Sequence, residues 1–278
     1  TTLKFIQAEQ DSFFSACISI NNKQDIMKYI FYLLFPFITF AQEKATLITY
    51  KAIYNTELPT TKNGYLYING NQKKSIYFTE RINKTDEEKD NNVDVTIRLG
   101  SGEKGFNYFD YENDTLITKD DIFKESKLIK EKVPDFDWVL LEESKTIDNI
   151  VLNKATCYFR GRNYIAWYSA DTPIKAGPWK FQDLPGLIFE IYDETKRYNW
   201  FLQKVKSTTF NFNSEELDYK NQETISIKQY AELKFNDKGL DKKLLAKLPR
   251  GTKVVSQKTF RTGFEIKFEW EEETKEED

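Results

Sequence analysis

The sequence predicts a mainly β protein: an antiparallel meander forming a curved sheet, an open barrel or a sandwich, with one helical segment near the C-terminus at about residues 226–248. Three observations carry this. Aromatic residues make up 15% of the 278-residue chain, with 22 Phe and 16 Tyr, and hydrophobic residues make up 40%. Such side chains suit a pleated, half-buried surface. From Thr46 onward, apolar and polar residues alternate with period two in short runs separated by turn residues, the pattern of strands in a meander. Only Ser226–Leu248 shows the helical period instead.

In chain order, alternation predicts strands at Thr46–Tyr54, Tyr65–Asn69, Ser75–Ile82, Val93–Leu99, Phe106–Tyr111, Thr115–Thr118 and Trp138–Glu143. Asn63-Gly64 and Asn69-Gly70 read as turns, Gly100–Gly105 as a flexible connection, and Glu112-Asn113-Asp114 as a hairpin tip. Gly100–Gly105 lacks the Gly-Lys-Ser/Thr ending of a phosphate loop, and no helix follows it. Lys84–Asn92 is a solvated charged loop. Ser226 and Gln229 fit a capping box at the head of the helical segment, and Gly239 is placed to divide it. Pro249-Arg250-Gly251 ends it. Phe260–Trp270 alternates again as a last strand, and residues 271–278 form an acidic tail. No internal repeat or long linker divides the chain.

The N-terminal forty residues read differently. Met27 is the only Met. Lys28 follows it, then the uncharged run Tyr29–Phe40, then Thr39-Phe40-Ala41 with small residues where a signal peptidase reads. Twelve residues span about 18 Å as a helix, short of the roughly 30 Å of a bilayer core. The expectation is an upstream extension over 1–26, a cleaved signal peptide over 27–41, and a single exported domain over 42–278 with no transmembrane anchor.

Composition excludes several chemistries. The chain has no His, which removes the usual general base and the His-based triads. Of its two Cys, Cys17 falls in the upstream segment, leaving Cys157 with no partner for a disulfide or thiolate cluster. Cys157 reads as a buried, inert thiol. No metal site and no cofactor are expected. Net charge is −3 with both signs interspersed, so there is no footprint for nucleic acid.

One stretch, Ala155–Asp193, departs from ordinary β texture. In Leu184-Pro185-Gly186-Leu187, Pro presets φ and Gly accepts positive φ, which predicts a type II turn leading into a strand at Leu187–Tyr192. Pro173–Gly186 then reads as an ordered loop with Trp179 and Phe181 as packing anchors. Asp183-Leu184-Pro185-Gly186-Leu187-Ile188 resembles the hexapeptide of the GLPGLI family of Bacteroidota, with Asp183 in place of its first Gly. Arg160-Gly161-Arg162, Ala166-Trp167-Tyr168, Gly177-Pro178-Trp179-Lys180-Phe181 and Lys154-Ala155 are similar to the family pattern too. Leu152 stands where family members often carry a Cys. The resemblance implies an exported envelope protein and supplies no substrate.

Before the loop, period-two reading puts Tyr158, Arg160, Arg162, Tyr164 and Tyr168 on one face of a strand, and Phe159, Ile165 and Trp167 on the other. Two Arg flanked by Tyr suit bidentate recognition of a carboxylate or phosphate. The alternative is a solvent face with each Arg paired to an acidic neighbour. The candidate contact residues are Arg160, Arg162, Tyr164, Trp167, Trp179 and Phe181, and no residue is assigned a catalytic role. The expectation is a non-enzymatic binder or carrier, its partner a lipid, a peptide or an outer-membrane protein. Its sheet-plus-helix layout is similar to that of periplasmic lipoprotein carriers, an analogy of fold alone. The alternative is a carboxylate-dependent hydrolase using pairs such as Asp110 with Asp114, or Asp135 with Asp137.

Overall fold

The computed structural model describes residues 43–81, 105–122, 125–214, 217–235 and 261–271. The signal-like segment, the charged loop, the expected strand 93–99 and the second half of the helical segment lie outside them. Among the described residues, twelve strands form one sheet, not closed into a barrel, and there is a single α-helix.

The strands are β1 (Glu43–Tyr54), β2 (Thr60–Asn69), β3 (Lys74–Arg81), β4 (Phe106–Asp110), β5 (Thr115–Ile122), β6 (Glu125–Glu131), β7 (Val139–Ile147), β8 (Ile150–Phe159), β9 (Arg162–Ser169), β10 (Leu187–Asp193), β11 (Tyr198–Phe210) and β12 (Thr224–Ser226). Their order is β12-β6-β5-β4-β3-β2-β1-β11-β10-β9-β8-β7. Two antiparallel meanders therefore meet at β1, which pairs along its full length with β11, from Glu43 opposite Phe210 to Tyr54 opposite Tyr198. β12 alone is parallel to its neighbour.

This order requires the sheet to curl. β6 and β7 are consecutive in the chain but ten strand spacings apart, about 48 Å on a flat sheet. The eight residue steps from Glu131 to Val139 reach less than about 30 Å. The two edges therefore approach each other without pairing. The linker between them is apolar where it crosses: Phe136 stacks with Trp138 and packs against Phe159 and Phe181.

Both faces of the sheet are covered over part of its width, while β7 and the second half of β11 stay exposed. On the inner face, Ile48, Tyr50, Leu66, Tyr77, Tyr164, Leu187, Ile191 and Trp200 form the main core with Trp179 and Phe181 of the β9–β10 loop. On the outer face, Leu47, Tyr67, Ile76, Tyr108 and Ile117 lie side by side across five strands, and Phe212, Leu217 and Tyr219 pack on them. The helix α1 (Ile227–Phe235) sets Tyr230 and Ala231 against Ile122 and Ile129. Its capping box forms as the sequence predicts: Gln229 N donates to Ser226 Oγ at 3.2 Å, and Ser226 N donates to Gln229 Oε1 at 2.8 Å.

Four expectations are corrected. Asn63-Gly64 is no turn: it lies inside β2, opposite Lys51 and Tyr50. A Cβ on Gly64 would sit 2.4 Å from Tyr77 Oη, so the glycine is there to let that ring cross. Arg160-Gly161 is not mid-strand. Both residues have positive φ, 43° and 90°, and form the two-residue turn that joins β8 to β9, as in a type I′ hairpin. The turn reverses the alternation, so Phe159 joins Tyr164 in the core while Tyr158 is exposed.

The Leu-Pro-Gly-Leu turn is not type II. Gly186 N donates to Leu184 O at 2.7 Å, a three-residue γ-turn about Pro185, and Leu187 N donates to Thr172 O instead. Gly186 lies against β9, where a Cβ would meet Ser169 O at 1.9 Å. Last, residues 261–271 are not a strand. They run as an irregular strap whose Phe264 enters the main core and whose Phe268 enters the cluster under α1. Ile266 N and Lys267 N both donate to Arg160 O, so a turn carbonyl takes the place of a ladder.

Candidate functional site

The inner face is not filled at the end where β2, β3, β4 and β5 pass under α1 and the strap. A half-open cleft of about 400 Å³ remains there. Its walls include Tyr54, Tyr77, Thr79, Trp179, Phe235 and Phe264. Its volume falls within the range of small-molecule sites. Aromatic packing holds the floor: Phe264 lies within 5.5 Å of the rings of Tyr54, Trp179, Tyr198 and Trp200.

Polar groups stand at three places on this lining. Tyr77 Oη is enclosed, with the Tyr54 and Trp200 side chains as its hydrogen-bonding neighbours. Burial holds the Tyr77 hydroxyl protonated far above its ordinary range. Under α1, Tyr230 Oη donates to Asp120 Oδ2 at 2.5 Å and Lys234 Nζ donates to the same oxygen at 2.7 Å. Burial, then the Asp120 charge, raises the Tyr230 pKa.

The third is a buried ionic hub at the back of the cleft. Arg160 Nη2 donates to Glu131 Oε2 at 2.5 Å, Arg160 Nε to Glu269 Oε1 at 2.8 Å, and Arg160 Nη1 to Glu265. Lys180 Nζ donates to Glu131 Oε1 and Glu265 Oε1, both at 2.8 Å. Arg160, Lys180 and Glu131 are almost wholly shielded from solvent. Burial opposes the charge on Glu265, but Lys180 and Arg160 together hold its carboxyl below the ordinary range. The same pairings hold Arg160 charged against its own burial. The hub thus ties the end of β6, the β8–β9 turn, the β9–β10 loop and the strap together where the sheet edges approach.

The candidate residues fall into three groups. Arg160 sits in the hub, and Arg162 donates to Gly263 O at 2.7 Å and to Asp193 at 3.3 Å. Tyr164, Trp179 and Phe181 are buried in the core, with Trp179 reaching the cleft wall. Trp167 is apart from them, half-buried beside Lys145, whose ammonium lies 4.4 Å from its ring centre. Arg162 and Tyr164 share the inner face with Phe159, while Trp167 points the other way. Sequence reading missed Glu131, Glu265, Lys180 and Tyr77. Period two in β3 puts Tyr77 and Thr79 on one face, but nothing local marks that face as lining a cleft.

The carboxylates named for a hydrolase serve turns. Asp110 accepts from Asn113 N at 3.3 Å and from Tyr219 Oη at 3.1 Å, Asp114 is a left-handed residue at the tip of the β4–β5 hairpin, and Asp135 accepts from Asp137 N at 3.2 Å. Cys157 is free and buried, and burial raises its thiol pKa. No helix among the described residues is long and apolar enough to cross a membrane.

Comparison with known proteins adds a short match. The model of a family described as "Protein of unknown function (Porph_ging)" matches residues 157–190, which run from the end of β8 through the loop into β10. No curated protein matches the chain. Among solved structures, PNGF-II in a C2 crystal form is similar at 16% identity and TM-score 0.48, over 69% of this chain and 33% of that one. Its P21 form gives 16% identity and TM-score 0.46 over 70% and 34%. A LolA superfamily protein, NE2245 from Nitrosomonas europaea, is similar at 10% identity and TM-score 0.26 over 67% and 94%. The chain thus spans about a third of the PNGF-II chains it matches. With all three scores below 0.5, these likenesses carry no weight for function.

Proposed function

We propose that this chain is an exported, non-enzymatic envelope protein that binds an amphipathic ligand in the cleft between the inner face of the sheet, α1 and the strap. The observation that carries this reading is the cleft itself: an aromatic-walled, half-open volume of about 400 Å³ between the sheet, α1 and the strap. The aromatic walls contribute to affinity, roughly 25 cal/mol for each Å² of apolar ligand surface covered. Export is supported by the sequence from Met27 to Ala41. The motif segment 183–188, which lies inside the short stretch that a family model matches, supports assignment to the GLPGLI-type family.

Native mass spectrometry of the full chain, expressed with its own leader and isolated from the periplasm, tests this. The expected result is an added mass of lipid or acylated-molecule size that is lost on denaturation. A clean apo mass, together with no saturable uptake of a long-chain acyl probe, overturns the reading.

A further inference from the structure

Strand β7 (Val139–Ile147) ends the sheet, and among the described residues β8 is its only neighbour. None of its nine residues is buried, and the apolar Val139, Leu140 and Ile147 are exposed. The turn that follows sets which backbone groups the open edge presents. Asp148 and Asn149 have positive φ, 48° and 64°, as in a two-residue type I′ turn, so Ile147 and Ile150 close it as a hydrogen-bonded pair. Counting back with the alternation of an antiparallel ladder, Ile147 and Lys145 turn their backbone polar groups to β8. Thr146 and Ser144 turn theirs to the open edge.

The charged side chains beside Ser144 share one face. Lys145 pairs with Glu190 and lies 4.4 Å from the Trp167 ring centre. Glu143 accepts from Lys154 Nζ at 2.8 Å, and that ammonium lies 5.9 Å from the same ring. Upstream, the ladder with β8 shifts between Leu140 and Ser144. This bulge blunts the edge, so a strand added there is short.

We propose that β7 pairs antiparallel with β7 of a second copy of this chain, about a two-fold axis at Ser144. In such a pair the residue on the axis faces itself. An axis at Glu142, Glu143 or Lys145 would set like charges opposite each other, which is destabilising. An axis at Ser144 sets Glu143 opposite the second copy's Lys145 and Lys145 opposite its Glu143. Leu141 and Ile147 then face each other outside these two attractive pairs. The contact is isologous, so it uses up both edges and closes as a dimer. It engages about seven residues a side against the 20–30 of a standard interface, and roughly tens of micromolar affinity is expected. No cleft residue takes part, so this inference and the cleft reading stand or fall separately.

The test is sedimentation equilibrium of the full chain, expressed with its own leader and isolated from the periplasm, from about 5 to 500 µM. The expected result is monomer and dimer with nothing larger. Ser144→Pro removes a backbone donor that faces the open edge, and is expected to abolish the dimer while melting stays cooperative. Glu143→Lys and Lys145→Glu each set like charges opposite at both positions, and each is expected to weaken the dimer about tenfold or more. Mixed in equal amounts, these two variants bring opposite charges together again and are expected to associate. A monomer throughout, a species larger than a dimer, or a dimer that survives Ser144→Pro would overturn the assignment. So would charge variants that each melt cooperatively and do not associate on mixing.

Discussion

Lys180 and Gln182 stand two residues apart on the β9–β10 loop, and each is 1% exposed. Their surroundings are opposite. Lys180 meets two carboxylates inside a hub where Arg160 meets the same two and a third. Gln182 keeps one donor bond and leaves its oxygen with nothing. The difference teaches how one loop divides its work. The side facing the strap is closed by charge and holds the curled sheet together. The other side is held just as rigidly but left chemically open.

If that contrast is right, removing a hub partner is costly and removing an open group is not. Glu131→Gln leaves two buried cations short of a carboxylate, and is expected to lower unfolding stability by about 3–5 kcal/mol in urea titration. Gln182→Leu removes the orphan acceptor along with the bond to Pro134, and is expected to change stability by less than about 1.5 kcal/mol. Similar losses from both would erase the distinction between the two sides.

The loop's anchorage to β9 comes next in size. Gly186→Ala drives a Cβ into the Ser169 carbonyl, and backbone on both sides must shift. A loss of about 1–3 kcal/mol is expected in thermal or urea unfolding.

The hub also sets a pH dependence. Glu265 is depressed in the folded protein, so its contribution is present above the unfolded carboxylate value, about 4.3, and is lost as pH falls through the lower folded value. Melting temperature is expected to hold from pH 8 to about 5 and to drop below about pH 4. Lys180→Met should flatten that drop, because Glu265 then loses one of the two cations that depress it. An unchanged acid limb in the variant would show that the hub does not control it.

The smallest effect expected is at the helix. Ser226→Ala removes the oxygen that accepts from Gln229 N, and is expected to cost about 1 kcal/mol.

Much of the frame was legible in the sequence. Alternation located β1, β3, β4 and β5 to within a few residues, because each packs one face against apolar neighbours and the period survives. The capping box at Ser226 was legible because it is a local device. β11 passed unnoticed, since its second half lies exposed and its charged residues mask the period. The Arg160-Gly161 hairpin was missed because arginine is a rare occupant of positive φ, and only the turn explains it. The strap was misread because Phe264 and Phe268 alternate as a strand would, although each enters a different cluster.

The site itself was the least legible part. Glu131, Arg160, Lys180 and Glu265 are scattered over more than a hundred residues. They meet only because the sheet curls until its edges approach. Arg160 was recognisable as unusual from its aromatic neighbours, but not as a hub. Gln182 carries no sequence signal at all, since an unmade hydrogen bond is a property of the packed chain.

The most direct test of the cleft is titration of the full chain with a fluorescent long-chain fatty-acid analogue, beside Thr79→Trp, which sets an indole into the cleft at a half-buried position. The account predicts saturable one-to-one binding by the natural sequence, with Trp emission changing because Trp179 lines the wall, and at least tenfold weaker binding by a variant that still melts cooperatively. Equal binding by both proteins, or binding by neither, would contradict it.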